Sequence, residues 1–144
     1  MDTPTPPFQL IATDLDGTLL RTDQSIGEED RKALEACGER GIVRVAATGR
    51  SYYSAQRVLS DDAPIDYLVF SCGAGVLRWR DRELLHARMF PPHEALTIGN
   101  RLRSLELDFM VHTTIPDNHL FWYSARQENP DLTARIAHYA QCVR

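Results

Sequence analysis

Short apolar runs separated by polar or glycine-rich segments mark out the first half of the chain. They are Phe8–Thr13, Ile42–Ala47 and Tyr67–Ser71. Each run is mostly apolar rather than strictly alternating, which predicts strands that are buried on both faces, as in a parallel sheet.

The two intervals between these runs carry helical spacing of apolar residues. In the first interval, Ser25 followed by Glu28 matches a capping box, which predicts that a helix begins at Ser25. In the second, Ser51 is a candidate N-cap for a helix with Ala55 and Leu59 on one face. Strands that alternate with helices in this way predict an α/β fold with right-handed crossovers.

The pattern changes after Gly75, where strand-like segments no longer alternate with helices. The predicted elements are a hairpin, a helix, two further strands and a closing helix: Val76–Trp79 with Leu84–Arg88, Pro92–Leu105, Phe109–His112, Leu120–Tyr123 and Pro130–Val143. We therefore expect a flexible leader over residues 1–7, an α/β core over 8–75, and an α+β module over 76–144.

Composition and charge argue against several classes of function. With a net charge of −4 and a pI near 5.7, the chain does not suit wholesale binding to nucleic acid or membranes. Its cysteines are odd in number and form no CxxC pair, which predicts neither a disulfide framework nor a zinc site. No segment reads as a signal peptide or a membrane span. We expect a cytoplasmic protein, and no oligomeric state is indicated.

Two carboxylates, Asp14 and Asp16, follow the first predicted strand and can point to the same side of the chain. Because like charges held this close repel each other, a hard divalent cation such as Mg²⁺ would stabilise them. Gly17 allows a sharp turn that brings backbone N–H groups near an anion, and Thr18 adds a hydroxyl. The alternative interpretation is a simple Asx-Gly turn without a ligand.

The second predicted strand ends in Thr48-Gly49-Arg50. In a strand–helix–strand unit, this loop and the Asp14 loop lie side by side. A hydroxyl, an amide and a guanidinium placed together suit the binding of a phosphate. Without that placement, the same three residues would indicate only a turn and a helix cap.

Together these motifs resemble those of the haloacid dehalogenase-like (HAD) phosphohydrolases, and most closely the Cof-like branch with an inserted type IIB cap. The first family motif, D-x-D-G-T-L-L, is complete from Asp14 to Leu20, and the second, A-T-G-R, is Ala47–Arg50. The resemblance implies a Rossmann-like parallel sheet, of which this chain holds the first half. It also implies that residues 76–144 belong to an α+β cap module that is likewise incomplete.

The resemblance also implies a mechanism for a small phosphorylated metabolite, such as a sugar phosphate or a phosphorylated cofactor. Asp14 would attack phosphorus to form an aspartyl-phosphate, and Asp16 would protonate the leaving oxygen and then deprotonate water. The Asp14 side chain and the Asp16 carbonyl would hold Mg²⁺. The candidate phosphate-binding residues are Gly17, Thr48, Gly49 and Arg50.

The chain departs from the family pattern at two places. Cys72 stands where the branch usually has Asn. The family also needs a later lysine and a later acidic motif, but the only lysine, Lys32, precedes the second motif, and no Gly-Asp pair follows Gly75.

Two hypotheses stay open at this point. The first is the N-terminal part of a Mg²⁺-dependent phosphohydrolase, and the second is a catalytically inactive fragment that binds phosphate or metal. A receiver domain fits less well, because its acceptor aspartate lies at the end of a later strand.

Overall fold

Strands and helices alternate over the first part of the computed structural model, which describes residues 7–126 and 128–144. In chain order the elements are β1 (Leu10–Asp14), α1 (Glu28–Glu39), β2 (Val43–Ala47), α2 (Tyr52–Ala55), β3 (Tyr67–Phe70), β4 (Gly75–Arg78) and β5 (Leu84–Ala87). The leader predicted over residues 1–7 lies, apart from Pro7, outside the described residues.

These five strands form one sheet in the order β1-β2-β3-β4-β5. The pairs β1–β2 and β2–β3 are parallel, whereas β4 and β5 continue the sheet in antiparallel pairing. The predicted α/β class is therefore confirmed. Because β4 pairs with β3, one compact unit ends at Ala87, beyond the boundary near residue 75 that the sequence suggested.

The core of this unit lies on and around β3 and β4, where Leu68, Phe70 and Leu77 are almost completely buried. The first apolar run behaves differently from the prediction. It forms the edge of the sheet, and Leu10 is 53% exposed. The prediction of burial on both faces was wrong for this strand, because the alternating residues Leu10, Ala12 and Asp14, which share one face, are all exposed.

The start of α1 also differs from the prediction, because the capping box does not form. The N-cap is Gly27, and no side chain caps the helix. Instead, the backbone N–H and the hydroxyl of Ser25 both donate to Asp23 Oδ1, at 3.0 and 2.6 Å. A short local carboxylate thus competes successfully for the serine. In α2, by contrast, Ser51 Oγ accepts from the Ser54 N–H as an N-cap should.

The turn between β4 and β5 is built around Trp79, which is 1% exposed. The Arg82 guanidinium lies 3.5 Å from the centre of the Trp79 ring, a cation–π contact. Arg82 Nη2 also pairs with Asp61 Oδ1 at 2.6 Å. The hairpin turn is therefore fixed to the loop that follows α2.

A second compact unit, Arg88–Arg144, contains α3 (Pro92–Ser104), β6 (Phe109–His112), β7 (Phe121–Ser124) and α4 (Pro130–His138). Two strands were predicted here, and they form an antiparallel pair. The closing helix is shorter than predicted and is followed by a 3₁₀ turn over Ala140–Cys142. Among the described residues, no helix has the length and apolarity needed to cross a membrane.

Candidate active site

The carboxyl ends of β1 and β2 lie side by side, because Asp14 pairs with Ala47 in the parallel register. The loop after β1 folds back on its strand, with the Leu19 N–H donating to the Asp14 carbonyl at 3.2 Å. Leu15 is fully buried and anchors this loop. Gly17 has φ +73°, a left-handed conformation that glycine adopts without steric cost.

Asp14 presents an exposed carboxylate at this edge of the sheet. Within the described part of the chain, no hydrogen bond or ion pair reaches that carboxylate, although the Thr13 hydroxyl donates to the Asp14 main-chain oxygen at 3.0 Å. A carboxylate in this state is available to a cation or to an electrophile.

Asp16, in contrast, is held by Arg50. The guanidinium donates from Nε to Asp16 Oδ2 at 2.8 Å and from Nη2 to Asp16 Oδ1 at 2.6 Å, which is a bidentate pair. The third nitrogen, Nη1, donates to the Ser54 hydroxyl at 3.3 Å. Hydrogen bonding and charge from Arg50 hold the pKa of Asp16 below its usual range.

Thr48 and Gly49 complete the second loop. Thr48 is only 6% exposed, and its hydroxyl accepts from the Arg50 N–H at 3.1 Å. The Thr48 N–H donates to the Val69 carbonyl at 2.9 Å, which joins this loop to β3. Gly49 is exposed, so its backbone is accessible from solvent.

A third loop, residues 71–73, packs against the second. The Ser71 N–H donates to the Arg50 carbonyl at 2.8 Å, and the Cys72 N–H donates to the Thr48 carbonyl at 3.2 Å. Ser71, Cys72 and Gly73 all have positive φ, at 51°, 54° and 92°. This tight turn places the Cys72 sulfur 3.5 Å from where a Cβ on Gly49 would lie.

The donor set at this edge suits a hard cation, because it offers carboxylate and main-chain oxygens. Asp14 would supply its carboxylate and Asp16 its carbonyl. Over residues 7–126 and 128–144, no group of three or more His, Cys, Asp or Glu side chains could hold a metal ion. A cation here would therefore need main-chain, water or phosphate oxygens to complete its ligands.

The structure thus brings every candidate residue of the sequence analysis to the carboxyl ends of β1 and β2. They are Asp14, Asp16, Gly17, Thr48, Gly49 and Arg50. Sequence reasoning did not find Ser54 or the contacts of the 71–73 loop. The position of Ser54, four residues after Arg50 at the start of a helix, was the available signal for the first. The catalytic and binding roles of the set remain predictions.

Comparison of the chain with known proteins shows which family it belongs to. A family model for haloacid dehalogenase-like hydrolases matches residues 11–141. The chain belongs to the haloacid dehalogenase-like hydrolases. The resemblance inferred from Asp14–Leu20 and Ala47–Arg50 is therefore confirmed for this HAD family and its Cof-like branch.

Relatives and solved structures agree with this family. The chain is 32% identical over 143 residues to the HMP-PP phosphatase of Yersinia pestis (strain Pestoides F), covering 91% of this chain and 45% of that protein. It is 29% identical over 113 residues to the 5-amino-6-(5-phospho-D-ribitylamino)uracil phosphatase YwtE of Bacillus subtilis (strain 168), covering 78% of this chain and 37% of that protein. The chain thus spans less than half the length of these curated relatives.

Among solved structures, a HAD-superfamily phosphatase from Bacteroides thetaiotaomicron superposes with a TM-score of 0.72 at 20% identity, over 91% of this chain and 47% of that one. A HAD subclass IIB sugar phosphatase gives a TM-score of 0.59 at 19% identity, over 90% and 48%. These likenesses confirm the Rossmann-like core.

Proposed function

We propose that this HAD chain carries the nucleophile loop of a Mg²⁺-dependent phosphohydrolase that acts through an aspartyl-phosphate. The observation that supports it best is the meeting of two loops at one sheet edge. The exposed Asp14 carboxylate, without a protein partner among the described residues, lies on the strand that pairs with the strand leading to Thr48.

In the proposed reaction, an Asp14 oxygen attacks phosphorus while the bond from phosphorus to the leaving oxygen breaks. Asp16, which must first take up a proton from solvent, gives that proton to the leaving oxygen. Water then attacks the phosphorus of the aspartyl-phosphate, Asp16 takes the proton of the water, and the Asp14 carboxylate is restored. The Thr48 hydroxyl and the backbone N–H groups of the loops that contain Gly17 and Gly49 would bind the phosphoryl oxygens. Mg²⁺, held by Asp14 and the Asp16 carbonyl, would offset negative charge.

The proposed substrate is a small phosphorylated metabolite. This class is supported by the names of the relatives, which are phosphatases of small organic phosphates. The acidic net charge of −4 does not suit a nucleic-acid or membrane partner, and we place the protein in the cytoplasm. Residues 76–144 were predicted to belong to a cap, but β4 and β5 belong to the core sheet, so we propose that the second unit, Arg88–Arg144, forms part of a substrate-selecting cap.

The second candidate, a phosphate- or metal-binding chain without turnover, is favoured by one observation. A phosphoryl group brings about two negative charges to a loop that already holds Asp14 and Asp16. Arg50, the cation paired there, is already engaged by Asp16, and no lysine follows the second motif. We therefore propose that the 144 residues alone do not turn over phosphate esters at an enzymatic rate.

The test is to assay the chain, and a longer reading frame that contains it, with an aryl phosphate and Mg²⁺. We expect turnover in the longer form, and Asp14→Asn should lower it by about 10³-fold or more without unfolding the protein. Asp23→Asn, which changes a carboxylate in the same segment, is the matched control and should retain activity. Near-normal turnover by Asp14→Asn would contradict the mechanism. Asp14-dependent turnover by the short chain would contradict its proposed inactivity.

A further inference from the structure

Arg50 already makes, with a carboxylate, the contact that a phosphate would make. Its Nε and Nη2 reach the two oxygens of Asp16 at 2.8 and 2.6 Å. A guanidinium fork donates the same pair of parallel hydrogen bonds to a carboxylate or to a phosphate. While Asp16 occupies the fork, a phosphate cannot bind it in this way.

The two partners are not equally fixed. The Arg50 side chain is 21% exposed, and its remaining nitrogen, Nη1, donates to Ser54 at the start of α2. Asp16 is 54% exposed in its side chain and precedes Gly17, a residue with positive φ. Arg50 is therefore the anchored partner, and Asp16 is the partner that can leave.

The geometry points to an exchange. We propose that an incoming phosphate displaces Asp16 from the Arg50 fork, so that binding itself releases the Asp16 carboxylate towards the leaving oxygen. This inference rests on the proposed function, since it needs a phosphate at the Thr48–Arg50 loop. Arg50 is then both a phosphate ligand and a positioning residue for Asp16, and Ser54 keeps the fork in place during the exchange.

The experiment is a titration of the 144-residue chain with inorganic phosphate, followed by the amide resonances of Gly17 and Thr48–Arg50. Asp16→Asn removes the competitor, and Asp23→Asn removes one carboxylate from a neighbouring loop without touching Arg50. We expect Asp16→Asn to tighten the apparent Kd for phosphate about three- to tenfold more than Asp23→Asn does. Adding Arg50→Lys, which keeps the charge but loses the fork, should remove most of that gain.

A second measurement uses the unsubstituted chain, in case Asp16→Asn does not fold. At constant pH, phosphate should shift the side-chain carboxyl carbon resonance of Asp16 well beyond that of Asp23.

The outcomes separate the exchange from the proposed function. If phosphate moves the Thr48–Arg50 amides but Asp16→Asn and Asp23→Asn tighten binding equally, the exchange is wrong and the phosphate site stands. The exchange is likewise wrong if phosphate moves those amides and leaves the Asp16 carboxyl resonance unchanged. If tens of millimolar phosphate moves neither loop in any folded variant, both the exchange and the phosphate site are wrong.

Discussion

Two arginine–aspartate pairs with the same fork geometry lie at opposite ends of the parallel strands. At the carboxyl ends, Arg50 Nε and Nη2 bind Asp16 at 2.8 and 2.6 Å. Near the amino ends of β2 and β3, Arg44 Nε and Nη2 bind Asp66 at 3.0 and 2.8 Å. By these distances the two pairs are nearly equivalent.

Their surroundings differ. Asp66 also accepts from the Arg44 backbone N–H at 2.7 Å, and Arg44 Nη1 donates to the Leu34 carbonyl of α1 at 3.4 Å. The side chain of Asp66 is 35% exposed, against 54% for Asp16. One pair thus joins α1, β2 and the residue before β3, whereas the other joins two loops and the short helix α2. The same interaction stabilises the fold at one end of the strands and stays exchangeable at the other.

The largest predicted effect is on kcat, which should depend on Asp16 but not on Asp66. In a longer form of the protein that hydrolyses an aryl phosphate, Asp16→Asn should lower kcat by about 10²–10⁴-fold, because the amide cannot transfer the proton. Asp66→Asn, the matched change at the other pair, should leave kcat within about twofold. Steady-state kinetics with Mg²⁺ measures both values, and equal losses would remove the functional distinction between the pairs.

Stability should rank the same two substitutions in the opposite order. Asp66→Asn weakens three hydrogen bonds around a half-buried guanidinium, so we expect the free energy of unfolding to fall by about 1–2 kcal/mol. Asp16→Asn should change it by less than about 0.5 kcal/mol, because that pair is more exposed. Urea unfolding at neutral pH gives both values. A larger loss of unfolding free energy for Asp16→Asn would mean that the Asp16–Arg50 pair also stabilises the fold.

Lowering the pH should reduce the difference in the free energy of unfolding between the wild-type chain and Asp66→Asn. Hydrogen bonds from Arg44 hold the pKa of Asp66 below its usual value of 3.8. A folded-state pKa lower than the unfolded one gives stability that is present above pH 4 and is lost as the pH falls through the folded-state value. Unfolding curves recorded from pH 7 downward should therefore converge below about pH 4. A constant gap over that range would show that Asp66 is not a paired carboxylate.

The smallest predicted effect is the weak binding of Mg²⁺ to the loop that contains Asp14 and Asp16. Because Asp14 supplies a single side-chain ligand, we expect weak binding, seen as shifts of the Asp14–Thr18 amides at millimolar Mg²⁺ and above. The amides near Asp66 serve as the internal control and should not move. Absence of any shift at tens of millimolar Mg²⁺ would count against a cation site in this chain.

The convergence of Asp14 with the Thr48 loop could be predicted because it depends only on strand order and parallel pairing. The Asp16–Arg50 contact could not, since nothing in the spacing says which partner a long side chain chooses. The capping box at Ser25 failed for a related reason, because Asp23 is a nearer acceptor for the serine. Whether a face of a strand is covered likewise depends on what packs against it, so an apolar run alone did not show that one face of β1 would be exposed.

The turn around Trp79 has an optical consequence. Each compact unit contains one tryptophan, and the two differ in solvent access: Trp79 is 1% exposed, whereas Trp122 is 50% exposed. Emission from Trp79 should be blue-shifted, shielded from acrylamide, and sensitive to the Arg82 charge over its ring. Emission from Trp122 should be red-shifted and readily quenched. The chain therefore carries a natural fluorophore for each unit, and selective quenching can follow the unfolding of one unit while the other stays intact.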